Sequence, residues 1–129
     1  MIIYIMQNLQ TNNILFNGIY YFEGDDIYIF NDGIQESEKI NKTIIISNSS
    51  NNYLIEIFNN KFLYDCISKA DLSLFSELQD NKLIAIENSN KHTFYYDDGN
   101  NDKLVYKYEK CTNNNYQELG FFTGSKINM

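Results

Sequence analysis

Apolar and polar residues alternate at a period of two along most of this chain, and that period constrains the fold more than any other feature. KLVYKYEK, residues 103–110, shows it cleanly, with Leu104, Tyr106 and Tyr108 on one face and Lys103, Lys107 and Glu109 on the other. Alternate side chains of a strand point to opposite sides, so a half-buried strand writes this pattern and a helix does not. YLIEIFNNKFLYDC, residues 53–66, repeats it: Tyr53, Ile55 and Ile57 share a face with Phe62, Tyr64 and Cys66 if Asn59-Asn60 is a two-residue turn. That face is expected to be core. The opposite face, with Leu54, Glu56, Phe58, Lys61, Leu63 and Asp65, is half polar and half greasy, as where a helix, a loop or a partner covers a sheet.

Other segments read the same way. IYYFEGDDIYIF, residues 19–30, suggests a hairpin turning at Glu23–Asp26, with Gly24 free to take positive φ. TIIIS at 43–47 is β-branched. KLIAIE (82–87) and HTFYY (92–96) suggest a pair joined by a three-residue loop, with Ile84 opposite Tyr96 and Ile86 opposite Phe94. Short strands are also expected at 2–6, 13–16 and 119–123, and the polar stretch from Asp32 to Lys42 reads as loop. SKADLSLFSELQDNK, residues 68–82, alone suggests a helix. Ser68 or Asp71 serves as cap, and Leu72, Leu74, Phe75 and Leu78 form a stripe at helical spacing without β-branched residues. The expected fold is a single mainly-β domain over 1–129: a strongly curved antiparallel sheet, small barrel or sandwich of sequential hairpins, with one short α-helix at about 69–79 packed on it.

Charge narrows the functional classes. Seventeen carboxylates against ten lysines give a net charge of −7, and arginine is absent. Backbone binding to nucleic acid depends on dense positive charge, so direct nucleic-acid binding is disfavoured and a protein partner with a basic surface is preferred. Twenty asparagines, eighteen isoleucines and no proline point to an AT-rich coding sequence. The opening MIIYIMQNLQTNN has no basic n-region, and no apolar run reaches the length of a membrane span, so a cytoplasmic setting and no membrane partner are expected. Two cysteines, Cys66 and Cys111, do not make a disulfide scaffold. Oligomeric state is not legible.

No catalytic motif is present. His92, the single histidine, has no nucleophile or second acid–base group at a telling spacing. EGDD (23–26) and DDGNND (97–102) are rich in oxygen ligands, but the second has its glycine third rather than sixth, unlike a calcium loop. Both read more simply as solvated turns. We therefore expect no metal and no cofactor.

Tyrosines are plentiful, and consecutive ones must place some rings outside. Rigid amphipathic rings beside carboxylates suit protein contacts. The candidate docking residues are Tyr20, Tyr21, Glu23, Asp25, Asp26, Tyr28, Tyr95, Asp97, Asp98 and Asp102. The expectation is a non-enzymatic protein-binding protein, by association an inhibitor or modulator from a virus or mobile element, such as an anti-defence protein whose acidic loops mimic phosphate. Two alternatives stand beside it: a small ligand-binding or catalytic β-barrel with a tyrosine and carboxylate pocket, and an immunity protein against a basic toxin.

Overall fold

The computed structural model describes residues 16–49, 52–61, 69–97, 100–111 and 116–127. Among them eight strands follow one another: β1 (Gly18–Phe30), β2 (Gln35–Ser49), β3 (Asn52–Asn59), β4 (Leu72–Gln79), β5 (Lys82–Glu87), β6 (Asn90–Asp97), β7 (Asn100–Cys111) and β8 (Tyr116–Lys126). Each pairs antiparallel with the next, and β1 pairs with β8, which closes the sheet into an up-and-down barrel. Closure removes most of the sheet edges that a proline-free chain would otherwise leave open.

Period-two alternation fills the barrel. Tyr20 and Phe22 of β1, Ile44 and Ile46 of β2, Tyr53, Ile55 and Ile57 of β3, and Leu104 and Tyr106 of β7 are all buried in one core cluster. Phe94 and Tyr106 stack with centroids 4.4 Å apart, and Phe122 continues the stack at 5.6 Å from Tyr106. Two glycines make room for these rings. Gly24 lies opposite Phe122, and Gly124 lies opposite Phe22. A Cβ on Gly124 would stand 2.6 Å from Phe22 Cγ, and one on Gly24 would collide with the Phe121 carbonyl oxygen. Large beside small is how a narrow barrel packs its taper.

One end of the barrel is plugged. Phe16 packs against Tyr53 and Tyr96, and Tyr20 donates its hydroxyl proton to the Phe16 carbonyl at 2.8 Å. That uses the only proton of Tyr20, so Tyr96 donates across the 2.7 Å contact between the two hydroxyls.

Several local expectations are overturned. No helix occurs among the described residues, and the segment expected to be helical at 69–79 contains β4. LSLFSELQ fits both periods, and the barrel selects two: Leu74 and Ser76 are buried, whereas Phe75 is 67% exposed. The hairpin expected at Glu23–Asp26 is uninterrupted β1, because Gly24 serves a close approach to β8 and Asp25 finds an opposite charge in Lys39 across the ladder. Residues 35–42, expected as loop, belong to β2. They pair with β1, which pairs on its other side with β8, and they run on past the β2–β3 ladder; exposed through residue 39, this stretch needs no apolar face. The β1–β2 turn is held by Asp32 Oδ1, which accepts from the Ile34 N–H at 3.0 Å, and by Gly33 at φ 88°.

Asn60 takes the positive φ of a turn residue, yet β3 does not fold back there in the two-residue turn expected at Asn59-Asn60. Asn60 N–H donates to the Asn41 carbonyl, so the chain stays beside β2, and the other edge of β3 pairs with β4 (Ile55 opposite Leu74). Phe62, Tyr64 and Cys66 lie outside the described residues, as do the strands expected at 2–6 and 13–15. β5 and β6 join through two residues, Asn88 and Ser89, rather than three. Ile84 therefore faces Thr93 and Ile86 faces Lys91, leaving Ile86 74% exposed, while Leu83 and Ala85 point inward. An asparagine able to adopt φ 55° makes the shorter turn accessible.

Candidate functional site at the open mouth

Strand register assembles the second end of the barrel from polar residues. Ala85, His92, Tyr108, Gly120 and Asp26 form one row across β5, β6, β7, β8 and β1. Beneath them lies an aromatic floor of Phe94, Tyr106 and Phe122. Toward the rim the next row carries Glu87, Lys110 and Glu118. Lys42 and Asn59, paired across β2 and β3, close the other side. Asp26, Lys42, Asn59, Glu87, His92, Tyr108 and Glu118 line a cavity of about 180 Å³ whose floor is Tyr106 and Phe122. Gly120 lets its neighbours close up around it: a Cβ there would sit 2.9 Å from Phe122 Cε1, 3.1 Å from Asp26 Oδ1 and 3.2 Å from Tyr108 Cβ, and would crowd three residues of the mouth.

His92 is 1% exposed; its ring lies nearly parallel to that of Tyr106, with centroids 5.9 Å apart, and is tilted by 37° against that of Tyr108 at 4.9 Å. Its Nδ1 lies 2.7 Å from the Tyr106 hydroxyl. Burial, reinforced by the Lys42 charge, pushes the imidazole down to about 4, so it is neutral at pH 7. A phenol is the better proton donor and a neutral imidazole nitrogen the better acceptor. We therefore assign the Tyr106 proton to the Nδ1 contact, which leaves the imidazole hydrogen on Nε2. Nε2 is buried and makes no hydrogen bond among the described residues.

Lys42 is 9% exposed. Its Nζ donates to Asn59 Oδ1 and stands 5.0 Å from the centroid of Phe122. Burial pulls this ammonium below its ordinary pKa, while Asp26, Glu118 and Asp71 push it back up. The Asp26 carboxyl is raised, first by burial, with Lys42 opposing and Glu38 adding to the rise. Glu118 is raised by burial and by the Asp26 charge, against Lys110 and Lys42. The ion pair found among the described residues, Lys61 with Asp71 at 3.6 Å, braces the exit of β3 instead. The mouth thus holds a cation, carboxylates and an N–H donor, each with hydrogen-bonding capacity left over.

The docking residues expected from sequence do not form one surface. Tyr21, Glu23 and Asp25 do come together on the outer face of β1, where with Lys39 and Asn41 they line a surface groove of about 490 Å³. Tyr20 is fully buried at the plugged end, and Asp26 is buried in the mouth. Tyr28 shares the inward side of β1 with Asp26 and lies opposite Glu118. The Tyr95 ring sits below two ammonium groups, Lys82 at 5.1 Å and Lys107 at 5.5 Å, and so presents positive rather than acidic surroundings. Asp97 ends β6 and Asp102 lies near the start of β7, while Asp98 is outside the described residues.

Sequence reasoning overlooked Lys42, Glu118 and the inward orientation of His92. The signal was parity: Lys42 is in step with Ile44 and Ile46, His92 with Phe94, and Glu118 with Phe122. No group of three His, Cys, Asp or Glu positioned to hold a metal occurs among the described residues. Among those residues no helix is long and apolar enough to cross a membrane. No protein-family model matches this chain, and no curated protein matches it significantly.

Proposed function

We propose that this barrel binds a small polar molecule in its open mouth, between Lys42, His92 and Asp26. The observation that carries the reading is His92 Nε2: a fully buried polar atom without a partner among the described residues, on a side chain that lines the cavity. Buried polar atoms are nearly always hydrogen-bonded, and one left open costs about 1–3 kcal/mol. Convergent polar groups over an apolar floor at a barrel mouth are the usual make-up of a small-molecule site. The test is a screen of small polar fragments read on the imidazole signals of the single histidine. Binding that perturbs His92 and is lost in Gly120→Val supports the reading, whereas fragments that bind both proteins alike refute it.

A second reading has its own support. Tyr21, Glu23 and Asp25 flank the outer groove along β1 and β2, and a partner protein with a basic surface fits that acidic, tyrosine-bearing strip. An inhibitor or an immunity protein would act this way. Capture at low salt that survives Gly120→Val but fails in Glu23→Lys/Asp25→Lys would select this reading over the mouth.

A further inference from the structure

We infer that the ligand of the mouth carries two opposite charges, an ammonium and a carboxylate, as a free amino acid does. This rests on the mouth being a ligand site and names the chemical class it takes. Lys42 Nζ spends one of its three donors, on Asn59, and His92 Nε2 spends none. Those two groups ask for a carboxylate. Asp26 and Glu118 ask for the reverse, and neither is in ion-pair contact with Lys42 among the described residues. Opposite charges held in one cavity without touching leave a gap that a dipolar molecule bridges.

Single charges fit less well. A plain anion beside Lys42 would sit in a cavity also lined by Asp26, Glu87 and Glu118. A plain cation would answer the carboxylates but leave the Lys42 and His92 donors unspent, next to a second positive charge. A zwitterion satisfies both sets at no net change in charge, and the cavity of about 180 Å³ restricts it to a small one. Phe122 and Tyr108, both lining the cavity, supply the apolar contact for its carbon skeleton.

The experiment titrates the full chain with glycine, β-alanine and 4-aminobutyrate, and with acetate and ethylamine as single-charge probes. Binding is followed by calorimetry and by the His92 imidazole signals. At least one zwitterion should bind about tenfold or more tightly than either single-charge probe, since each lost end forfeits a charge-assisted hydrogen bond. Lys42→Met should erase the preference over ethylamine, and Asp26→Asn the preference over acetate. Acetate or ethylamine binding as tightly as every zwitterion would overturn the dipolar class while leaving the mouth as a site. If none of the five probes moves His92 while other polar fragments do, the class is again refuted and the site stands. Silence of His92 toward all fragments refutes both. The comparison among probes on the unmodified protein decides the matter even if a variant fails to fold.

Discussion

Replacing His92 and Tyr106 together by phenylalanine should leave the protein at least as stable as it is now. The pair shares one hydrogen bond, Nδ1 to hydroxyl at 2.7 Å, whose net worth is about 1 kcal/mol. Against that loss stands Nε2, buried without a partner at a cost of about 1–3 kcal/mol, which the double replacement removes. The rings are nearly parallel, 11° apart, so two phenylalanines keep the stack, and the adjoining cavity accepts the larger ring. The net change runs from zero to a gain of about 2 kcal/mol, or an upward shift of several degrees in Tm for a chain of this length. Tyr106→Phe alone should instead destabilise by about 1–3 kcal/mol, because it orphans Nδ1 as well. Urea unfolding at pH 7 measures all three proteins. A double variant weaker than the parent by more than about 2 kcal/mol would mean that Nε2 is already satisfied, and the argument for the mouth would fail.

Four more outcomes follow from the geometry. Leu74→Ala should cost about 2–5 kcal/mol and Phe75→Ser less than about 0.5, since the first side chain is in the core and the second in water; equal costs in urea unfolding would restore the helical stripe. Gly124→Ala should be severely destabilising because its Cβ would stand 2.6 Å from Phe22 Cγ, whereas Gly33→Ala, with open space around it, should cost only the strain of φ 88°, about 1–2 kcal/mol. Between pH 6.5 and about 4 the unfolded chain holds a proton on His92 that the folded one lacks, so stability falls on acidification through that window, by about 3 kcal/mol in full. Asp26 and Glu118, raised above their ordinary values, take up protons more readily when folded and oppose the loss; His92→Phe should remove the decline in a pH series of melting curves. Asp71→Ala should cost about 1 kcal/mol in urea unfolding, because Asp71 Oδ2 accepts from the Asn59 N–H at 2.8 Å on an exposed surface.

Much of the architecture was legible because a barrel wall demands one inward and one outward face from every strand. Tyr53, Ile55 and Ile57, and likewise Leu104 and Tyr106, are where alternation puts them. What misled was local chemistry with two meanings. EGDD has the letters of a turn, yet its glycine relieves a crowded crossing of β1 by β8 some hundred residues away, which no local window can see. LSLFSELQ satisfies a period of 3.6 as well as a period of two, and only pairing with β3 decides between them. The mouth escaped because its members are scattered over seven strands. Lys42, His92 and Glu118 are each unremarkable in sequence, and only the shared stagger of the strands brings them to one end. A polar residue in phase with core neighbours was the clue, and its ambiguity was that such residues also occur where a strand runs out past the barrel, as Glu36 and Glu38 do.

The single histidine makes the central claim directly measurable. A long-range proton–nitrogen correlation spectrum of the imidazole, recorded from pH 7 down to pH 3, reports its charge, its tautomer and its pKa at once. A closed barrel with His92 inside the mouth and hydrogen-bonded to Tyr106 predicts a neutral ring at pH 7, protonated on Nε2 and titrating near 4. A ring that titrates near 6.5 with rapidly exchanging tautomers would place His92 in water, and both the inward register of β6 and the ligand site built on it would be wrong.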